Sequence, residues 1–306
     1  MRELQIPSND GIHQLHVVVW EPEQEVKAVL QISHGMVEFI ERYDDFAKFM
    51  NTQGVLVIGN DHLGHGHTAA NDEELGYFCK GHDSGVVVKD LHSVTEYAKK
   101  QYPGKPYFLL GHSMGSFMAR RYCMTYGKEL TGAIISGTGC QPGIVLAGGK
   151  LITNVIKLFR GEKYRSEFVK QTSFKGYNDH FEPIRTVNDW LTRDEKIVDA
   201  YNANKFCTFC FTINGYQTLF DVLSFIQKKE NVAKLPNELP MYFVAGMEDP
   251  VGSYGKGVQA VYDTYKAKGQ KDIDIKLYCN DRHEILNELD RQTVYEDIAS
   301  WVQARL

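Results

Sequence analysis

The ten residues Phe108 to Phe117, FLLGHSMGSF, place a serine between two glycines, after an apolar run and before a stretch of helix formers. No other part of the chain restricts the backbone as much. A short apolar run bounded by glycine reads as a buried strand, and from Met114 the apolar residues recur at helical spacing. Gly111-His112-Ser113-Met114-Gly115 must therefore turn the chain sharply from strand to helix. A side chain at Gly111 or Gly115 would collide with the neighbouring strand and helix, while Ser113, in strained geometry, is lifted toward solvent. The helix N-terminus there offers free N–H groups and positive potential to a developing oxyanion. An ordinary glycine-rich turn is the competing reading, and partners elsewhere in the chain separate the two.

A serine hydroxyl is a weak nucleophile without a base, so the reading requires a carboxylate and then a histidine later in the chain, each on a loop after a strand. After the apolar run Met241 to Ala245 comes GMEDPVG, which offers Asp249, and after DIKLYC comes NDRHEILNE, which offers His283. Glu248 is adjacent to Asp249 and points elsewhere; Asp281 would have to fold back locally to reach His283. A second oxyanion donor belongs on the loop after an early strand, and SHGMVE follows AVLQI directly. Gly35 lets that backbone approach the serine, leaving the Met36 N–H to act with that of Met114.

The surrounding pattern suits this site. Short β-branched runs (Leu15 to Trp20, Ala28 to Ser33, Val55 to Gly59, Tyr107 to Gly111, Ala133 to Ser136) alternate with helical patterns, the rhythm of a mainly parallel sheet covered by helices on both faces. The first of these runs precedes any helix and is predicted to pair antiparallel. After Cys140 the rhythm stops, and it resumes with a helix near Tyr216, strands at Met241 to Gly246 and Asp272 to Cys279, and a terminal helix. The chain of 306 residues is thus predicted to have a core of residues 1–140 and 216–306 with an insertion at 141–215. Within the insertion, IVLAGGKLITNVIKLF has a wide apolar face. It lines an acyl tunnel, dips into a membrane surface, or packs as a helix on the core, with Gly148 and Gly149 as a hinge.

Together, HGMVEFIERYDDFA, DHLGHGHT, GHSMGS, MEDPVG and RHEILNE resemble the monoacylglycerol lipase and lysophospholipase branch of the α/β-hydrolases. The resemblance spans the core and implies the α/β-hydrolase fold, with residues 141–215 as a largely helical cap that forms the acyl pocket. It implies hydrolysis, through an acyl-enzyme, of fatty or aromatic acyl esters of a small polar alcohol, with no cofactor. Glu38, Arg42 and His112 align with the polar groups that hold the glycerol end in this family. Glu38 and Arg42 are also spaced four apart, as an ion pair on one helix face would be. The sequence departs from many relatives in having Phe39 where they have His and Thr68 where they have Ser. Short-chain or aromatic (hydroxycinnamoyl) esters are the alternative substrates.

Two rival functions rest on other features. DHLGHGH gathers Asp61, His62, His65 and His67, a spacing that suits a metal-dependent hydrolase, although its glycines equally suit a tight turn. A non-catalytic hydrolase-like binder would lack a triad member, and all three candidates are present. A net charge of −5 gives no positive field for nucleic acid. The polar start with Pro7, and the lack of any uncharged apolar stretch of membrane-spanning length, predict a cytoplasmic protein whose only membrane contact is transient, through the cap. The six cysteines read as mostly buried thiols, with Cys207 and Cys210 forming an isolated CxxC.

Overall fold

Every β-branched run named above forms a strand, and one more precedes them. The computed structural model describes residues 1–306. Its strands are β1 Arg2–Pro7, β2 Gln14–Trp20, β3 Ala28–Ser33, β4 Val55–Asn60, β5 Tyr107–His112, β6 Gly132–Ser136, β7 Met241–Gly246 and β8 Ile273–Tyr278. They make one sheet in the order β1-β2-β4-β3-β5-β6-β7-β8. As predicted, β2 pairs antiparallel, with β1 and with β4. The remaining neighbours are parallel. Strand β1 was not legible because it is an edge strand that buries only Ile6, leaving no apolar run to read.

The helices are α1 Asp44–Thr52, α2 Ser84–Gln101, α3 Met114–Tyr126, α4 Gly143–Arg160, α5 Glu167–Ser173, α6 Glu195–Ala203, α7 Ile213–Gln227, α8 Lys229–Val232, α9 Lys256–Lys268 and α10 Arg291–Gln303. Successive residues of a strand point to opposite faces, so β5 feeds two cores. Phe108 and Leu110 pack with Phe46 and Met50 of α1 and Ile298 and Val302 of α10. Tyr107 and Leu109 join Leu91 of α2, Met118 of α3 and Val261 of α9 on the other face. Covered on both sides, β3 to β7 are buried throughout, which is why they read as continuous apolar runs.

The segment between β6 and α7 contains α4, α5 and α6, in keeping with the largely helical insertion that the resemblance implies. Gly148 and Gly149, read as a hinge, lie inside the unbroken helix α4. A Cβ on Gly149 would stand 2.9 Å from the Phe220 ring, so this glycine allows close packing of α4 on α7. No helix is long and apolar enough to cross a membrane.

Candidate active site

Strand β5 ends at His112, and the chain turns into α3 through Ser113, whose φ of 54° lies in the left-handed region. A non-glycine residue held there stores strain of about 1–3 kcal/mol, which surrounding contacts must sustain. The Ser113 N–H bonds the Ser136 carbonyl of β6 at 3.0 Å. The flanking glycines are needed for contact: a Cβ on Gly115 would stand 2.0 Å from the Ser33 carbonyl oxygen, and one on Gly111 would stand 2.4 Å from that of Gly115.

Three side chains from separate loops meet at this turn. His283 Nε2 is 2.8 Å from Ser113 Oγ, and Nδ1 is 2.9 Å from Asp249 Oδ1. That oxygen also accepts the Val251 N–H at 2.8 Å, which fixes the carboxylate. The loops after β7 and β8 meet closely enough to bring Asp249 and His283 together, since a Cβ on Gly246 would stand 2.0 Å from the Asp281 carbonyl oxygen. The rival acid Asp281 is engaged by Arg193 at 2.6 Å. Burial opposes charging His283, but the Asp249 carboxylate outweighs it and raises the imidazole above its ordinary value. His112, also buried and with its ring 4.8 Å from that of His283, is pushed down to about 3 by burial and by the neighbouring imidazole.

The Gly35–Glu38 loop after β3 lies against the serine: a Cβ on Gly35 would stand 3.1 Å from the Ser113 Cβ. The Met36 N–H has no backbone acceptor, and Met114, first in α3, has none within its helix. Val37 is strained at φ 57°, and its carbonyl accepts the Tyr201 hydroxyl of α6 at 2.8 Å.

Glu38 and Arg42 do pair, at 2.7 Å, but the contact is buried and belongs to a larger cluster. Glu38 Oε1 accepts the Gly35 N–H and the Tyr43 hydroxyl. Arg42 makes two further 2.7 Å bonds, to both oxygens of Glu284. Although burial opposes it, this bidentate pairing holds Glu284 down to about 2, while burial pushes Glu38 up despite Arg42. The Glu38 oxygens and the two terminal nitrogens of Arg42, predicted to face a diol, bond to one another and to Glu284. The cluster joins the Gly35 loop directly to the residue after His283.

Glu284 was missed because 242 residues separate it from Arg42, and no local pattern marks such a pair. Trp190 was also missed. Its ring lies 5.0 Å from that of His283, and the backbone of the inserted segment bonds the histidine loop, Leu191 accepting the Glu284 N–H at 2.7 Å.

The DHLGHGH loop splits its histidines between the interior and the surface. His62 and His65 turn inward beside His34, and burial lowers them to about 3 and about 4. His67 faces outward, and Asp61 accepts the N–H groups of Ile40 and His67. Thr68 is likewise structural, donating to the Asp61 carbonyl, while Phe39 packs against Phe206. All six cysteines are free thiols, and contrary to the sequence reading Cys279 is exposed while Cys140 and Cys210 are half-buried.

The mostly parallel eight-stranded sheet, with helices on both faces and the serine on the turn after β5, defines an α/β-hydrolase. More narrowly, the chain belongs to the hydrolase family described as "Serine aminopeptidase, S33" (Hydrolase_4), whose model matches residues 24–290. It is similar to a monoacylglycerol lipase from Mycolicibacterium smegmatis, 24% identical over 94% of this chain and 92% of that protein. The human monoglyceride lipase is 26% identical over 94% of this chain and 86% of its own length. Among solved structures, a thermostable carboxyl esterase from Bacillus coagulans in complex with glycerol superposes with a TM-score of 0.92 at 29% identity, covering 99% of this chain and 98% of that one. These relationships place the chain in the monoacylglycerol-lipase-like branch and make it a hydrolase.

Proposed function

We propose that this hydrolase cleaves carboxylic esters of a small polar alcohol, of the monoacylglycerol or lysophospholipid type, through an acyl-enzyme on Ser113. The observation that carries the reading is the unbroken path from Ser113 Oγ through His283 to Asp249, at 2.8 and 2.9 Å. Ser113 attacks the ester carbonyl as His283 Nε2 takes its proton, and Asp249 holds the Nδ1–H tautomer and stabilises the imidazolium. The N–H groups of Met36 and Met114 stabilise the tetrahedral oxyanion. The alcohol leaves with the proton from His283, and water repeats the sequence to release the acid. His112 is held neutral by burial beside the His283 imidazole. Glu38 and Arg42 support the oxyanion loop, Glu38 by accepting the Gly35 N–H and Arg42 by linking Glu38 to Glu284.

Ser113→Ala should lower turnover by on the order of a thousandfold or more in folded protein and abolish fluorophosphonate labelling. Near-normal turnover, or labelling of the variant, would refute the assignment. The similarity to the carboxyl esterase favours a second reading, with short or aromatic acyl groups as substrates. A panel of p-nitrophenyl esters of increasing length, run beside monoacylglycerol, lysophospholipid and an aminoacyl p-nitroanilide, separates these readings by its length profile.

Residues 141–215 act in this proposal as the cap over the acyl pocket, and α4 as its contact with lipid. Ile144, Val145, Leu151, Val155, Leu158 and Phe159 are exposed along α4, with Lys150, Lys157 and Arg160 beside them. That combination suits an anionic lipid surface. Flotation with phosphatidylglycerol vesicles at low salt should recover the protein, and Leu158→Glu with Phe159→Glu should release it. Failure of the unaltered chain to float would remove the membrane contact.

A further inference from the structure

The loop that carries His283 closes around a side chain from the inserted segment. Arg193 lies between the Asp189–Leu191 turn and α6, and its guanidinium meets three carboxylates of that loop. Its Nη2 donates to Asp281 Oδ1 at 2.6 Å and to Asp290, and its Nε donates to Glu288 Oε2 at 2.8 Å. The Asp281 and Glu288 side chains are wholly buried. Glu288 in turn gathers backbone: Oε1 accepts the Arg282 N–H at 2.9 Å and the Arg193 N–H at 3.1 Å, and Oε2 accepts the Leu289 N–H at 3.2 Å. Beside these bonds, the Trp190 carbonyl accepts the His283 N–H at 3.4 Å. The Asp281 carbonyl accepts the N–H of Glu248, the residue before Asp249, at 2.9 Å.

Three carboxylates share one guanidinium, and buried carboxylates stay ionised only beside a cation. Even with Arg193 in place, burial and the charges of Glu288 and Asp290 push Asp281 up to about 7. The nearby cations are otherwise engaged. Arg282 donates to the Asp189 and Thr192 carbonyls and stacks on the Phe181 ring, and Arg291 pairs with Asp194 at 3.2 Å. Without Arg193, Asp281 and Glu288 would have to protonate or turn out to water, loosening the backbone at Arg282 and Leu289. His283 is the next residue after Arg282, and its Nε2 must stay 2.8 Å from Ser113 Oγ for a proton to pass. We propose that Arg193 is a positioning residue for His283, through which the inserted segment holds the histidine loop in register with Ser113 and Asp249. The inference rests on the reading of His283 as the base that serves Ser113. It makes turnover depend on residues 189–194 staying seated against that loop.

The test replaces Arg193 with Ala and with Lys in the full chain, each variant checked by a melting curve. Arg193→Ala should lower kcat on a p-nitrophenyl ester by about a hundredfold with KM nearly unchanged, the effect of a small misplacement of the base. Arg193→Lys keeps the charge but cannot serve Asp281 and Glu288 through separate nitrogens, so its kcat should fall by about tenfold. The Arg193 side chain is 26% exposed, so added guanidinium can enter the vacated space and should restore part of the kcat of Arg193→Ala, which sodium chloride should not. The far-downfield proton resonance of the His283 Nδ1–H, bonded to Asp249, should be sharp in the wild type and broadened in Arg193→Ala. That resonance does not depend on turnover. If the wild type cleaved no ester, the reading of the function would fail while broadening in the variant would still support the positioning role. If Arg193→Ala does not fold, Arg193→Lys decides by the same measurements. A folded variant with wild-type kcat, or one that loses kcat with an unaltered resonance and no rescue by guanidinium, would overturn the proposal.

Discussion

The most discriminating perturbation of the buried cluster is Glu284→Gln, which keeps the shape of the side chain and removes its charge. In the native chain the side chains of Arg42 and Glu284 are only 11% and 5% exposed. Removing one member of a buried pair costs about 3–5 kcal/mol, because the remaining charge stays desolvated. The fall of the Glu284 carboxyl from 4.5 to about 2 gives an independent figure of about 3 kcal/mol. Glutamine retains an acceptor, so the lower value applies. At roughly 2 °C per kcal/mol for a chain of this size, the melting temperature should drop by about 6 °C.

The sign of the pH dependence follows from the lowered carboxyl. The stabilisation is present above the unfolded value of 4.5 and is lost as pH falls toward 2, so the gap between wild type and variant should narrow below pH 4.5. Loosening the cluster also frees Glu38 and the Gly35 loop, so kcat should fall by about tenfold with KM nearly unchanged. Calorimetric melting and steady-state kinetics on a soluble p-nitrophenyl ester read both effects. An unchanged melting temperature together with a raised KM alone would show that these side chains bind the alcohol instead of holding the loop.

Other expectations follow from the same structure. Because His283 must be neutral to accept the serine proton and is raised above its usual value, kcat/KM should increase with pH through an apparent pKa above 6.5; a limb below 6.5 would contradict the pairing with Asp249. His62, His65 and His112 are held neutral by burial, so the unfolded chain takes up protons below pH 6.5 that the folded chain refuses. These three should remove about 4 kcal/mol of stability between pH 7 and 5.5, and a urea midpoint that is flat over that range would refute their burial. Gly35→Ala places a methyl 3.1 Å from the Ser113 Cβ and 2.6 Å from Glu38 Oε1, so labelling by a fluorophosphonate should slow at least about tenfold. Wild-type labelling would place the loop farther from the serine.

Strands β2 to β8 and the serine turn were legible in the sequence, and only the edge strand β1 was not. Strands β3 to β7 announced themselves because burial on both faces demands continuous apolar runs, and Gly111 and Gly115 because backbone passes where a side chain would stand. Asp249 and His283 were legible because a strand end fixes where a loop begins, so order along the chain stood in for position in space. Tertiary structure alone decided the rest. The partnership of Arg42 with Glu284, the Trp190 ring beside His283, and the meeting of Arg193 with Asp281 and Glu288 join residues from separate loops. Sequence periodicity reports which face of an element is buried, but not which charged side chains from distant loops share the same volume. That depends on how the loops pack once the sheet has formed.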